Sequence, residues 1–232
     1  MRYTDKTNDL GLLIKLSIMV LVTMFLLIAQ AVNAQQFFTD DAAVTTERSF
    51  QVETWYGEFE SVFTPALGVN SWLELGVGFE FDTKNNFELG AMGFHAKGVT
   101  ADFEEEGQAF GLVTGVVFDE SFASDEFFFY VPYSRMILNE SSALHLNLGT
   151  AFHDGSVEIL YGVRGDFGVH DRVAVVAEVF AENDDFLYHG GLRFSLIPDL
   201  LEMDVMYGRG FRSGQEFPGI SVGVSFTPDT LW

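Results

Sequence analysis

His145, His153, Asp154, Ser156 and His189 are the residue types from which a Ser-His or Asp-His hydrolytic site is assembled, and some outer-membrane barrels hydrolyse lipids or peptides with such sites. No G-x-S-x-G element or metal-ligand spacing accompanies them. His153, Asp154 and Ser156 fall in a short polar stretch where turn chemistry alone selects such residues. Asp40-Asp41, Glu104-Glu105-Glu106 and Glu182-Asn183-Asp184-Asp185 offer oxygen ligands of the kind calcium takes, but none has EF-hand spacing, so solvated loops are expected. Arg164-Gly165-Asp166 spells a cell-adhesion tripeptide, yet in a strand Arg164 and Asp166 share a face, which predicts an internal ion pair. These signals point away from an enzyme, and no cofactor or metal-ligand set is expected.

Another set carries a stronger pattern. Glu53, Glu74, Glu80, Glu88, Arg164, Asp166, Glu178, His189, Arg193, Glu202 and Asp204 lie within alternating apolar runs, which puts them on the wet face of strands. The run Trp72 to Asp82 shows the arrangement. Leu73, Leu75, Val77, Phe79 and Phe81 share one face, and Glu74, Gly76, Gly78 and Glu80 share the other. A strand with lipid on one side and a wet lumen on the other has this composition. The eleven residues are therefore candidate pore-lining groups, selecting solutes by charge and width. The competing reading has them paired with one another and stiffening a closed interior.

The elements that would position them recur with short punctuation. Tight turns at Gly68–Ser71, Asn139–Ser142, Val169–Asp171 and Ile197–Asp199 each lead into an alternating strand, as hairpins do. Further strands are expected at 48–59, 61–68, 86–97, 108–119, 127–138, 158–168, 185–196 and 217–227, with Pro65 weakening the second. The sum is an all-β, antiparallel up-and-down transmembrane barrel of about 12 strands. The four tight turns would lie at one end. Longer polar or glycine-rich loops (Asp119–Asp125, Ala181–Asp185, Gly208–Phe217) would lie at the other, with the long Val99–Gly107 out of place. A soluble periplasmic β-sandwich binding protein is the rival, but its strands run about five or six residues, whereas spanning strands need about nine to eleven. The last strand alternates Ile220, Val222, Val224 and Phe226 with Ser221, Gly223 and Ser225, like the signal read by the barrel assembly machinery, although a tail, Thr227–Trp232, follows it.

Composition agrees with export. Arg2, Lys6 and Lys15 precede an apolar run from Leu16 to Val32, and Val32-Asn33-Ala34 has the small residues of a cleavage site. Residues 1–34 are thus expected to be a cleaved signal peptide, 35–47 a short periplasmic segment, and 48–232 a barrel in the outer membrane. The stretch between Ala34 and Arg48 is too short to be expected as a plug domain. The 12 basic side chains face 34 acidic ones. Removing Arg2, Lys6, Lys15, Asp5 and Asp9 with the signal leaves a net charge of about −23, which excludes a nucleic-acid partner. Cysteine is absent, so stability must come from burial, sheet closure or lipid.

Phe38-Thr39-Asp40-Asp41, Arg48 to Thr54 (RSFQVET) and Gly68 to Gly78 (GVNSWLELGVG) resemble the outer-membrane transporters associated with meta-pathway phenol degradation, as do Gly190 to Phe194 and the strand at 201–207. That family has a T-D leader, an F-Q-x-E strand and a G-x-x-D/N turn before L-E-L-x-x-G; here the turn's Asn70 comes one place early. The resemblance implies a barrel passing small aromatic or apolar compounds. Trp55, Tyr56, Phe110, Phe118, Phe128, Tyr130, Tyr161, Tyr188 and Tyr207 would either contact such a solute or, at strand ends, form the girdle at headgroup depth. The expected role is a passive channel for small neutral or cationic molecules. A structural or plugged barrel and a lipid hydrolase are the alternatives.

Overall fold

Twelve antiparallel strands follow one another around a closed barrel in the computed structural model, which describes residues 37–138, 141–212 and 215–231. They are β1 (Ser49–Gly57), β2 (Glu60–Asn70), β3 (Leu73–Asp82), β4 (Glu88–Val99), β5 (Gln108–Asp119), β6 (Ser124–Ile137), β7 (Ser142–His153), β8 (Ser156–His170), β9 (Val173–Glu182), β10 (Asp185–Ile197), β11 (Leu201–Arg212) and β12 (Gln215–Phe226). β12 returns to β1, pairing Phe226 with Val52 and Ser221 with Gly57, which removes both sheet edges. The up-and-down barrel is as expected, and the sandwich is overturned, because the described residues form one closed sheet whose apolar face has no second sheet to pack on. The expected signal peptide and its cleavage site lie outside the described residues, as do Asn139 and Glu140 of one expected turn.

Strand parity separates two surfaces. Phe63, Leu67, Leu75, Phe94, Leu112, Phe127, Leu146, Leu148, Val163, Val179, Val205 and Ile220 stand exposed on the outside, Leu148 and Ile220 at 65%. Their cross-strand alternates, among them Glu74, Lys97, Ser134, Arg164, Glu178 and Asp204, are buried inside. A water-soluble protein arranges these classes the other way round.

The loop asymmetry is not as expected. Ala181–Asp185 reduces to the two-residue link Asn183-Asp184, and most of Gly208–Phe217 is strand. Inward positions of a barrel take glycine and polar residues, so compositions that read as loop continue the ladder. The longest link, Thr100 to Gly107, carries the short helix α1 (Phe103–Glu106), capped by Asp102. It shares an end with the Ser71-Trp72 turn and with the start of β1. That end is called proximal below, and the end bearing the β1–β2 hairpin distal. Pro65 does not shorten β2: the strand runs its full length, and only the β2–β3 ladder skips the pairs beside the proline.

Candidate functional site

Register around the barrel assigns the eleven candidates to one face. His145, Arg164, Glu178 and His189 follow one another across β7 to β10 as direct cross-strand partners. Asp166, Arg193, Glu202 and Asp204 share that parity on β8, β10 and β11. Glu53, Glu74, Glu80 and Glu88 share it on β1, β3 and β4. Arg164 pairs with Asp166 at 3.0 Å, so the adhesion-like tripeptide is an internal ion pair. Arg193 reaches Asp204 at 2.9 Å, Asp166 at 3.4 Å and Glu202 at 3.5 Å. Glu178 meets His189 at 3.1 Å. Glu80 and Glu88 stand apart, towards the distal end.

The lumen also holds a segment that sequence reasoning placed outside it. Residues 37–47 fold back from β1 into the barrel, where the sequence led us to expect a short periplasmic segment. The barrel wall supplies the hydrogen-bond and ion-pair partners of this short segment. The Thr39 N–H donates to Glu178, and the Thr39 carbonyl accepts from Arg164 at 2.8 Å. Asp40 and Asp41 take Lys97 at 2.9 and 3.2 Å, and Asp40 accepts from the Tyr130 hydroxyl at 3.1 Å. Arg164 lies 3.5 Å from Asp41. With its amide turned to satisfy both groups, Asn147 donates to the Asp40 carbonyl at 2.9 Å and accepts from its N–H at 2.7 Å. The Ala42 N–H donates to Ser134 Oγ at 2.7 Å, and the Thr45 N–H and hydroxyl both donate to Glu74 at 2.7 Å. Phe37 lies beneath the Arg164 and Arg193 guanidiniums, with ring centroid distances of 4.5 and 4.8 Å.

The two neighbouring carboxyls are held differently. Burial pushes Asp40 up in spite of Lys97. At Asp41 burial acts the same way, but Lys97, Arg164 and His145 outweigh it and hold the carboxyl well below the usual range. Asp40-Asp41 is thus an ion-paired anchor rather than the solvated acidic group expected. Lys97 was the partner missed. Its signal was its parity with His95 in the predicted strand 86–97.

The hydrolytic residues resolve into two places. His153, Asp154 and Ser156 surround the β7–β8 turn, where Asp154 and Gly155 both have positive φ (48° and 77°), the geometry of a tight hairpin. His145 lies inside, 2.7 Å from Ser134 Oγ and 3.7 Å from Asp166. Serine, histidine and aspartate are therefore aligned, but Ser134 is fully buried and its oxygen is taken by the Ala42 N–H. Ser134 and His145 thus stand against the inner segment, with Ser134 bonded to its backbone. Glu104 to Glu106 form α1, and the Asn183 side chain accepts from the Ile159 N–H at 2.9 Å.

The aromatic candidates divide by parity. Tyr56, Phe110, Phe118, Tyr161, Tyr188 and Tyr207 face outward, while Trp55, Phe128 and Tyr130 face the lumen. Segment 37–47 divides the interior. Below it, towards the proximal mouth, is a space of about 600 Å³ bordered by Ala43 to Glu47, α1 and Glu202. On its distal side is a chamber of about 240 Å³ bordered by Phe38, Trp55, Glu60, Glu80 and Phe128. Two spaces of about 200 Å³ flank it, one along Glu74, Lys97 and Tyr130, the other along Arg164, Arg193 and Asp204.

Comparison with known proteins adds a family and a fold. A family model described as "Uncharacterised conserved protein UCP029691" matches residues 21–227; its description names neither phenols nor a pathway. No curated protein matches the sequence. Among solved structures, "KdgM porin" superposes with a TM-score of 0.61 at 9% identity, covering 77% of this chain and 98% of that one. At that identity the likeness is one of fold. Two forms of OmpT, an outer membrane protein of Vibrio cholerae, align less well. The loop L8 deletion mutant has a TM-score of 0.38 at 12% identity, covering 80% and 99% of the two chains; the outer-membrane expressed form has 0.36 at 10%, covering 82% and 99%.

Proposed function

We propose that this chain, which belongs to the family described as uncharacterised conserved protein UCP029691, is an outer-membrane channel for small neutral or cationic solutes, narrowed by its own residues 37–47. The observation that carries this reading is the inversion of surfaces: a closed barrel, greasy outside and charged inside. An apolar girth of that extent matches hydrocarbon rather than water. The fold shared with a porin supports the reading. In it, the eleven inward residues line the solute path. The excess of acid over base favours cations, and the flanking spaces beside Asp40 and Asp41 carry the flow. β12 would present its outward Ile220, Val222, Val224 and Phe226 to the barrel assembly machinery, and outer-membrane lipid would cover the girth. The reaction is diffusion, not catalysis, and nothing in it calls for a cofactor. The small apolar or aromatic solute implied by the resemblance to phenol-pathway transporters belongs to this proposal.

The second reading, a barrel that is structural because it is plugged, is favoured by the anchoring of residues 37–47. Planar-bilayer recording separates the two. The wild type should give ohmic steps with cation preference at 0.1 M salt, fading towards 1 M as the Debye length shrinks from about 10 to about 3 Å. Deletion of residues 37–45 should enlarge the steps. Silence from both, with the barrel folded as judged by heat-modifiable migration, would reject conduction.

A further inference from the structure

Residues 37–47 are held in the lumen as a peptide ligand is held in a groove, by their backbone as well as their side chains. The Thr39 N–H donates to the Glu178 carboxylate, and the Thr39 carbonyl accepts from the Arg164 guanidinium. Asn147, its amide turned as above, takes both the N–H and the carbonyl of Asp40, the two-point bond that a neighbouring strand would make. The N–H groups of Ala42 and Thr45 end on Ser134 Oγ and Glu74. Both acidic side chains meet Lys97, with Tyr130 also on Asp40 and Arg164 also on Asp41. The wall groups Glu74, Lys97, Ser134, Asn147, Arg164 and Glu178 are all buried. They stand on β3, β4, β6, β7, β8 and β9, so closure of the barrel fixes their spacing, whereas residues 37–47 contain no strand or helix of their own.

Donors and acceptors are mixed along this wall. Lys97, Arg164 and Tyr130 donate to the segment, Glu74, Glu178 and Ser134 Oγ accept from it, and Asn147 does both. A simple dianion satisfies only the first set and would lie against the carboxylates of Glu74 and Glu178. A peptide with two acidic side chains satisfies both sets, because each of its residues brings an N–H and a carbonyl. The ring of Phe37 adds a further contact, beneath Arg164 and Arg193 and clustered with Val176 and Met206.

We propose that this inner wall is a binding site for short acidic peptides, with an aromatic residue shortly before a pair of carboxylates, and that residues 37–45 are the chain's own copy of that ligand. The tethered copy keeps the site closed to others. A short tether sets an effective concentration of millimolar order, which a free peptide must match before it enters. This goes beyond the channel reading and does not depend on conduction, since binding and displacement need only the folded barrel.

The test uses the full chain folded in detergent micelles. Cysteine is absent from the sequence, so Ala43→Cys, which borders the proximal space, carries a single environment-sensitive dye that reports whether the segment is seated. A blocked peptide with the sequence of residues 37–45, FFTDDAAVT, should shift the dye emission saturably at millimolar concentration. The same peptide with asparagine at both acidic positions, and succinate, should each act roughly tenfold more weakly, because the first lacks the charge-assisted bonds and the second lacks the backbone. Adding Asp40→Asn and Asp41→Asn to the labelled chain should lower the peptide concentration needed roughly tenfold, since the tethered copy is then the weaker competitor. If the Ala43→Cys chain fails to show heat-modifiable folding, the exposed Glu47→Cys is labelled and read the same way. No shift at several times the millimolar range, or equal shifts from the acidic and asparagine peptides or from succinate, overturns the site. A protein that answers the peptide but never conducts in bilayers keeps the site and loses the channel; one that conducts but ignores the peptide keeps the channel and loses the site.

Discussion

Lys97 serves two carboxylates at once, and it is the residue on which the position of the inner segment most depends. Asp41 also has Arg164, whereas the charge partner of Asp40 among the described residues is Lys97. Lys97→Met should therefore destabilise the folded barrel by about 2–3 kcal/mol, below the full cost of orphaning a buried charge because Asp40 is 30% exposed. The readout is the midpoint of heat-modifiable migration, accompanied by larger bilayer steps. Unchanged values for both would mean that the segment is held elsewhere. Gly68 supplies a complementary test from outside the ion pairs. A Cβ there would collide with the backbone carbonyls of Thr45 and Thr46, where the chain turns from the segment into β1. Gly68→Ala should dislodge the turn and enlarge conductance while leaving all twelve strands paired. Normal conductance in Gly68→Ala would sink the idea that this turn seats the segment.

At the scale of elements, the tail after β12 acts as a clasp. Thr227 donates to Leu200 at 3.0 Å, Leu231 to Arg48 at 3.0 Å and Thr230 to Glu47 at 3.1 Å, while Ser49 donates to Pro228 at 2.5 Å. These bonds fasten the turn that leads into residues 37–47. Deleting residues 227–232 should leave the barrel closed but loosen that turn, so that trypsin cuts after Arg48 roughly tenfold faster, about 1.4 kcal/mol of local protection. Equal cleavage rates would assign the tail no such role. The strands themselves were readable from alternation, because a period-two pattern of Leu, Val and Phe against Glu, Gly and Ser can satisfy only a two-faced sheet. Their ends were not. β11 runs on through Gly208 and Gly210, inward glycines that signal a loop unless one knows that the inward side is wet.

At the scale of the whole molecule the question is what covers the outer surface. Leu148 sits near the middle of β7, faces outward and is 65% exposed. If hydrocarbon covers it, Leu148→Arg should cost about 2–4 kcal/mol of folding free energy in lipid vesicles. If water covers it, the cost should lie within about 0.5 kcal/mol. Urea titration of folding into vesicles distinguishes the two, and the smaller figure would remove the membrane reading altogether.

The sequence by itself determined the strands, their order and, along each regular run, which side is greasy, since alternation is written residue by residue; only where the ladder shifts register, as beside Glu80 and Phe81, does the closed sheet decide parity. It also pointed to one face for the eleven candidate residues, which Glu88 reaches through the register shift in β4. What fills the space they face was decided only by the tertiary structure. Asp40 and Lys97 are separated by 57 positions, and Thr39 and Glu178 by 139. Neither periodicity nor spacing records such pairings, because an irregular segment acquires its hydrogen bonds from whatever wall surrounds it, and that wall exists only once the barrel has closed.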